Sequence, residues 1–264
     1  MIPHDDGAAG PGTGLRLVLG SASPGRAEVL TRARVPFRVV VSGVDEAAVG
    51  AAAGDPSPAE LAGLLAEAKG RDVAARVAAS GVEAPTLVLG CDSVFEFDGR
   101  AHGKPYEPEV AVERWRAQAG REGVLHSGHW LGLVLPEPGV ESGMAAEAGV
   151  VSAVVRFGAV TEAEIQAYVA TGEPLHCAGA FTVDGAGAAL VDGVDGDPNA
   201  VIGLSVAWLR RAAAALGQDF TRCGNPPTRS ADPARQVRVP RRVPPQRVGC
   251  WSESAPSRAF RPTG

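Results

Sequence analysis

Several features that mark common protein classes are scarce or missing in this sequence. Its four cysteines form no C-x-x-C pair, which excludes a zinc ribbon or a thioredoxin-type motif. No apolar run approaches the ~20 residues that a membrane-spanning helix needs, and no signal-peptide pattern is found. We therefore expect a reduced, cytoplasmic protein without a membrane partner. Aromatic residues make up only 5% of the chain, so the core should be mainly aliphatic.

Charge is distributed unevenly along the chain. The 264 residues carry a net charge of −5, whereas residues 218–264 hold nine arginines and three acids. Two interpretations of this Pro- and Arg-rich segment stay open: a solvated extension without a specific role, or a basic tail that binds nucleic acid or an acidic partner. We predict a flexible leader at 1–14, a folded domain at 15–217 and a disordered tail at 218–264.

The hydrophobic pattern alternates between strands and helices, which predicts an α/β fold with a mixed sheet. Residues 15–20 form a short apolar strand that leads into Ser23 and Pro24, a typical N-cap and first residue of a helix. The continuous apolar run at 86–90 predicts a strand that is buried on both faces and ends just before Asp92.

The junction between the first strand and the first helix is a candidate anion site. Free backbone N–H groups and the helix dipole favour an anion there, close to Ser21. Arg26 in the first helical turn can add a charge-assisted hydrogen bond to a phosphate. The alternative is a capped helix with an exposed arginine, and the pattern is not a P-loop.

Two further candidates follow predicted strands. Asp92 can bind a divalent cation or accept a proton from water, and the alternative is a turn aspartate. Lys104 lies between Gly103 and Pro105, which should hold it in place for a phosphate or another anion. The alternative is an ordinary turn lysine.

An acid and a lysine farther along complete the set. Glu46 precedes a predicted loop of small residues at 47–57, and Lys69 lies in a predicted long helix at 58–80. Each alone is more often a solvated charge. Together with Asp92 they supply carboxylates for a metal and a cation for phosphates.

Taken in order, these segments resemble the Maf family of nucleotide pyrophosphatases over about residues 15–216. Eight motifs in the family's order are far more specific than any one of them. The matching segments are Leu19 to Arg26 (LGSASPGR), Val41 to Glu46 (VSGVDE), the Leu-Ala pattern ending at Lys69, Gly90 to Ser93 (GCDS), Gly103 to Pro105 (GKP), Tyr168 to Pro174 (YVATGEP), Ala178 to Phe181 (AGAF) and Val201 to Leu204 (VIGL).

The resemblance implies an elongated molecule with two lobes around a central cleft, and a possible homodimer. It implies an enzyme that hydrolyses a nucleoside triphosphate to the monophosphate and pyrophosphate, with Asp92 as proton acceptor. It also implies a divalent metal, Mg²⁺ or Mn²⁺. The implied phosphate ligands are Ser21, Arg26, Lys69 and Lys104, and the implied metal ligands are Glu46 and Asp92.

Three positions depart from the family pattern and concern base selection. Gly25 stands where the family often has an arginine, Ser93 where threonine is common, and Asp184 in place of the glutamine of an Ile-Gln-Gly segment. We therefore expect Gly25, Ser93 and Asp184 to influence specificity, and we do not carry over a dTTP/UTP preference. The alternative function is a non-catalytic protein that binds a nucleotide or a partner and regulates septum formation.

Overall fold

The structure, a computed structural model, describes residues 14–136 and 144–223, which form one mixed sheet with helices packed against it. The strands are β1 (Arg16–Leu19), β2 (Arg38–Val39), β3 (Thr86–Phe97), β4 (Arg100–His102), β5 (Glu122–Val134), β6 (Ala146–Phe157) and β7 (Val191–Asp195). The helices are α1 (Pro24–Arg32), α2 (Glu46–Ala52), α3 (Pro58–Ala79), α4 (Pro108–Gln118), α5 (Glu162–Ala170), α6 (Pro198–Ile202) and α7 (Val206–Ala215). Short 3₁₀ turns occupy Glu173–His176, Ala178–Ala180, Ala186–Leu190 and Phe220–Arg222.

The sheet has the strand order β2-β1-β3-β5-β6-β7, and β4 pairs with β3. The β2-β1-β3 pairs are parallel and the others are antiparallel, so the predicted α/β fold with a mixed sheet is confirmed. Because β5 takes one edge of β3, β1 and β4 share the other edge. β1 pairs with Thr86–Leu89 and β4 with Phe95–Phe97. No described strand covers Gly90–Val94 between them, and we call this stretch the β3 gap.

Asp92 lies inside a strand and not after one. β3 continues to Phe97, and its pairing with β5 runs unbroken through Asp92 and Ser93. The prediction that the strand ends before Asp92 is therefore wrong, because polar side chains can interrupt an apolar run without interrupting the backbone ladder. The chain turns only at Asp98 and Gly99, whose φ angles are 50° and 71°.

The prediction of a loop at 47–57 is also partly wrong, because residues 47–52 belong to α2. The Asp45 carboxylate accepts a hydrogen bond of 3.0 Å from the backbone N–H of Ala48 and caps the helix. The small residues that suggested a loop include several alanines, which have the highest helix propensity. As a result, Glu46 is held in the first turn of a helix.

Helix α3 lies unusually close to β3 and β5, and glycines allow it. A Cβ atom at Gly90 would lie 2.3 Å from the carbonyl oxygen of Ala66, and one at Gly128 would lie 2.1 Å from that of Ala62. Neither position has room for any side chain. The close approach fixes the height of α3 above the sheet and thereby the reach of Lys69 toward the β3 gap.

Six of the aromatic residues pack together in one cluster of the core, namely Phe95, Phe97, Trp115, Phe157, Tyr168 and Phe181. Phe95, Phe157 and Phe181 pack edge to face with ring centroids 5.1 to 5.8 Å apart. Trp115 joins them and donates a 2.6 Å hydrogen bond to the carbonyl oxygen of Ala180. This cluster anchors the turns that follow α5. The cluster around β1 is largely aliphatic, as expected.

The described chain extends beyond the predicted domain end at residue 217. Cys223 is only 7% exposed and packs in the same cluster as Leu17 and Leu30. The rest of the predicted tail and leader lies outside the described residues, so the domain boundaries stay predictions. Among the helices in 14–136 and 144–223, none has the length and hydropathy required to cross a membrane.

Candidate active site

An ammonium group lies between two carboxylates beside the β3 gap. Lys69 Nζ is 2.5 Å from Asp92 Oδ1 and 2.8 Å from Glu46 Oε1. Lys69 and Asp92 are each 8% exposed, whereas the Glu46 side chain is 59% exposed. Three of the predicted residues therefore meet in one charged group, and its Glu46 side is open to solvent.

The carboxylates of this group suit a divalent cation that takes its other ligands from elsewhere. Mg²⁺ is commonly bound in proteins by one or two carboxylates together with substrate phosphates and water. The described residues contain no group of three or more His, Cys, Asp or Glu that could hold a metal ion. The two carboxylates of Asp92 and Glu46 match the number of protein ligands that such a substrate-completed Mg²⁺ site uses.

A second group forms around the Arg26 guanidinium, which is also 8% exposed. Its Nη1 donates to Ser21 Oγ at 2.8 Å, its Nη2 to Ser93 Oγ at 3.1 Å, and its Nε to the carbonyl oxygen of Gly203 at 3.0 Å. In the described part of the chain, no carboxylate pairs with it. Burying a charge is costly unless it is compensated, so this cation favours binding of an anion.

The local structure explains how Arg26 comes to be buried. Ser23 caps α1, as predicted, and Pro24 occupies its first turn. Ser21 Oγ accepts a 3.2 Å hydrogen bond from the backbone N–H of Ser23, which fixes the chain between β1 and the helix. Arg26 then points back from the first turn toward the end of β1, and the alternative of an exposed arginine is wrong.

The two groups approach the β3 gap from opposite faces of the strand, because the side chains of Asp92 and Ser93 alternate. Ser127 donates a 2.7 Å hydrogen bond to the carbonyl oxygen of Ala200, and Ser127 Oγ lies 3.0 Å from Ser93 Oγ. Ser93 can therefore accept from Arg26 and donate to Ser127. This relay gives the Ser93 hydroxyl a fixed orientation.

The completely buried thiol of Cys91 lies close to both groups. Burial raises its pKa to about 12, Arg26 and Lys69 lower it, and Asp92 raises it. The two cations and the Asp92 carboxylate thus act on a single atom, which places both groups in one neighbourhood. The thiol stays protonated at neutral pH and is therefore unsuited to be a nucleophile.

Lys104 is exposed and does not join either group. Within residues 14–136 and 144–223 it makes no hydrogen bond or ion pair, and its charge acts on the thiol of Cys177. β4 runs antiparallel to β3 with His102 opposite Phe95, so the chain beyond His102 heads back toward the Asp92 end of β3. We call the exposed region around Lys104 and Cys177 the rim.

The other two predicted specificity positions lie around α1. Asp184 Oδ2 is 3.7 Å from Arg32 Nη2 at the C-terminal end of this helix, and its charge also acts on Cys177. Gly25 lies in the first turn, where a Cβ atom would be 3.1 Å from Ile202 Cγ2. A side chain at position 25 would require Ile202 to move.

Gly203 and Ser127 are site residues that sequence reasoning missed. A Cβ atom at Gly203 would lie 3.1 Å from Arg26 Nε, and its φ of 120° is one that residues with side chains rarely adopt. Gly203 belongs to the Val201 to Leu204 motif of the family resemblance. The sequence therefore marked this segment but did not show why a glycine is needed there. Ser127 gave no signal, because it lies in an ordinary strand.

The fold and the site together define an α/β protein in which a buried arginine, without a carboxylate partner in the described residues, lies near two carboxylates. The model of the family described as Maf-like protein matches residues 16–216, and the chain belongs to this family. A nucleoside triphosphate pyrophosphatase of Streptomyces coelicolor is 51% identical over 206 residues, which are 78% of this chain and 93% of that protein. The same name is carried by a Saccharopolyspora erythraea protein that is 46% identical over 81% of this chain and 99% of its own length.

The similarity to a solved structure is weak. That structure is a nucleoside-triphosphatase / dITP/XTP pyrophosphatase from Mycobacterium abscessus with 13% sequence identity and a TM-score of 0.31, and the match covers 76% of this chain and 97% of that one. A similarity this slight supports no conclusion about the site.

Proposed function

We propose that this chain is a nucleoside triphosphate pyrophosphatase that releases pyrophosphate and leaves a nucleoside monophosphate. The observation that carries the proposal is the buried Arg26 guanidinium without a carboxylate partner in the described residues, next to the Lys69–Asp92 pair. A site with an uncompensated cation and a nearby carboxylate suits a polyanionic substrate that must be hydrolysed. The names of the Streptomyces and Saccharopolyspora relatives support the same activity.

Binding of the triphosphate would draw on groups from both sides of the β3 gap. A triphosphate carries about four negative charges near neutral pH, and attack by water requires them to be partly neutralised. Arg26 and the Ser21 hydroxyl would hold one phosphate through charge-assisted hydrogen bonds. Lys69 and Lys104 would supply the remaining positive charge, Lys104 by moving in from the rim.

Asp92 and Glu46 would hold the divalent cation, Mg²⁺ or Mn²⁺, with oxygen ligands. When bound, this ion would neutralise phosphate charge and make a coordinated water more acidic. The residues of this chain do the positioning. Lys69 keeps the two carboxylates on one side of the β3 gap, and the exposed position of Glu46 leaves room for a substrate-borne metal to enter.

Asp92 would accept a proton from the attacking water. A bond then forms between the water oxygen and a phosphorus, the phosphoanhydride P–O bond breaks, and the electron pair leaves with pyrophosphate. The Lys69 ammonium group donates a hydrogen bond to Asp92 Oδ1, and this contact holds the carboxylate in one orientation. A fixed orientation is what a positioned general base requires.

Base selection would involve Gly25, Ser93 and Asp184. Because Gly25 stands where the family often has an arginine, this chain lacks that positive charge near the phosphates. The Ser93 hydroxyl already hydrogen-bonds with Arg26 and Ser127. Asp184 is the one of the three with a charge, and an acceptor-only side chain prefers N–H donors on a base. The three positions together would give this chain a preference that differs from that of relatives with arginine, threonine and glutamine there.

The test is to incubate the purified full chain with a panel of ribo- and deoxyribonucleoside triphosphates and Mg²⁺, and to measure pyrophosphate and monophosphate separately. We expect both products in equal amounts from at least one substrate. Release of orthophosphate alone would contradict pyrophosphatase activity. Tight nucleotide binding with no product would favour the non-catalytic alternative.

A further inference from the structure

The turn at Glu173–His176 is tied to two segments at the rim of the proposed site. The first tie is the Glu173 carboxylate, whose Oε2 accepts a 2.9 Å hydrogen bond from the backbone N–H of Ala186. Its Oε1 accepts from the backbone N–H of Gly187 at 3.0 Å, from the Tyr168 hydroxyl at 3.2 Å and from the Thr182 hydroxyl. One carboxylate thus fixes both ends of the segment that contains Asp184.

The segment is folded closely around this carboxylate. A Cβ atom at Gly185 would lie 2.5 Å from Glu173 Oε2, and one at Gly187 would lie 2.6 Å from the Tyr168 hydroxyl. Burial raises the pKa of Glu173, but the hydrogen bonds from Thr182, Gly187, Ala186 and Tyr168 outweigh it and hold the pKa below its usual value. The ionised form is therefore the one that the segment recognises.

The same turn holds the segment that carries Lys104. The backbone N–H of Tyr106 donates a 2.9 Å hydrogen bond to the carbonyl oxygen of Leu175. Tyr106 has a φ of 60°, and the N–H of Glu107 bonds the carbonyl oxygen of Pro105 at 2.7 Å across it. A three-residue turn with positive φ is rare and strained, so it persists only where its surroundings hold it.

The charges of both segments act on Cys177, which directly follows the turn. Burial raises the pKa of the Cys177 thiol, the charges of Glu173 and Asp184 raise it further, and the charge of Lys104 lowers it. Lys104 and Asp184 therefore both lie near Cys177, although 80 positions of sequence separate them. Each lies on a segment that is hydrogen-bonded to the same short turn: the Lys104 segment through Tyr106 and Leu175, and the Asp184 segment through Glu173.

We propose that Glu173 is a positioning residue that sets the placement of Asp184 relative to Lys104 and thereby selects the nucleobase. The inference rests on the proposed function, because it assigns the rim to a nucleoside triphosphate. Lys104 binds on the phosphate side, and Asp184, whose Oδ2 pairs with Arg32 at 3.7 Å, presents its remaining acceptor to the base. The carboxylate of Glu173 touches neither substrate nor metal and acts only through the segment that it holds.

The decisive variant is Glu173→Gln, which keeps the size of the side chain. The amide oxygen would take the Oε1 position, which faces three donors, and the –NH₂ group would then face the N–H of Ala186. Two donors would oppose each other, and the Asp184 segment would loosen. The matched control is Glu164→Gln, because Glu164 also accepts a backbone N–H and a hydroxyl, both from Thr161, but lies on α5 away from the rim.

Two readouts are taken on the full chain. The first is the ratio of kcat/KM between the best and the second-best base of the nucleotide panel, with KM and kcat reported separately. We expect Glu173→Gln to change this ratio at least about 5-fold, roughly the effect of losing one hydrogen bond, and mainly through KM. The second is hydrogen exchange at the amides of Ala186 and Gly187, which should become at least about 10-fold faster.

The outcomes separate this inference from the function on which it rests. If the wild-type chain releases no pyrophosphate from any nucleotide, the function fails, and base selection fails with it. If the wild type is active and Glu173→Gln exchanges faster but keeps its base ratio, the role is merely structural and the inference is overturned. A base ratio that changes equally in Glu164→Gln would also overturn it. Should Glu173→Gln fold poorly, Thr182→Val removes one donor to the same carboxylate and must shift the ratio in the same direction.

Discussion

Arg26 Nε donates a 3.0 Å hydrogen bond to the carbonyl oxygen of Gly203, a residue 177 positions later in the chain. This contact joins the start of α1 to the end of α6 and completes the fixation of the guanidinium. A glycine is favoured here because its φ of 120° is one that residues with side chains rarely adopt, and a Cβ atom would also lie 3.1 Å from Arg26 Nε and 3.2 Å from Ser93 Oγ. The orientation of the buried cation thus depends on a residue that carries no side chain.

Replacing Gly203 by alanine should therefore impair turnover through Arg26. We expect Gly203→Ala to lower kcat/KM for pyrophosphate release at least about 10-fold, because small displacements of a positioning group are costly to catalysis. The control is Gly81→Ala, since Gly81 has a φ of 73° but open space around its Cβ position. Both variants should lose stability in urea, and only Gly203→Ala should lose activity. Normal turnover by Gly203→Ala would contradict the role given to Arg26.

Asp92→Asn tests the assignment of the proton acceptor. The amide can still accept the Lys69 hydrogen bond, so the fold should persist, but it cannot take a proton from water. We expect turnover to fall at least ~10²-fold, the low end of a general-base contribution. Asp98→Asn is a suitable control because Asp98 forms an exposed ion pair with Arg121, outside the site. Pyrophosphate release by Asp92→Asn at a near-normal rate would rule out the assignment.

Metal dependence should be shared between Asp92 and the more exposed Glu46. Chelation with EDTA should abolish pyrophosphate release, and added Mg²⁺ should restore it. Glu46→Gln should raise the Mg²⁺ concentration for half-maximal activity at least about 5-fold, because one of two protein carboxylate ligands is lost. The control is Glu67→Gln. It removes only an exposed ion pair between Glu67 and Arg71, both on α3, and should behave as wild type. Full activity in EDTA would contradict a metal at this site.

Sequence patterns predicted those parts of the site that depend on residues close together in the chain. Ser23 caps its helix as its sequence neighbours indicate. The resemblance grouped Glu46, Lys69, Asp92 and Lys104, and the side chains of the first three meet in the structure. The partners of Arg26 could not be predicted, because they come from strands and a turn that are distant in sequence. The strand through Asp92 was missed for a similar reason, since its ladder with β5 depends on tertiary pairing and not on the hydrophobicity of the run.

The buried side chain of His129 should make the folded protein less stable in acid. Its Nε2 accepts a 2.9 Å hydrogen bond from the backbone N–H of Ser205, and its ring stacks on Trp208 with centroids 4.8 Å apart. Burial, with a further contribution from the charge of Arg26, lowers the pKa of His129 to about 4. The neutral ring is therefore the form that the folded protein requires.

The sign of the pH effect follows from this difference. The unfolded chain protonates His129 near its ordinary pKa of about 6.5, whereas the folded chain does so only near pH 4. Between these values the unfolded state binds more protons, so the free energy of unfolding falls as the pH is lowered from 6.5 toward 4. The contribution of His129 is complete above pH 6.5, and its loss in acid amounts to about 3 kcal/mol at most.

Urea unfolding of wild type and His129→Gln at several pH values between 7.5 and 4.5 measures this contribution. Glutamine can still accept the Ser205 N–H but has no proton to take up, so its stability should depend less on pH below 6.5. The carboxylates titrate alike in both proteins, and the difference between the two curves therefore isolates His129. His176→Gln, at an exposed position, should retain the wild-type slope. Parallel curves for wild type and His129→Gln would show that the buried ring does not control acid stability.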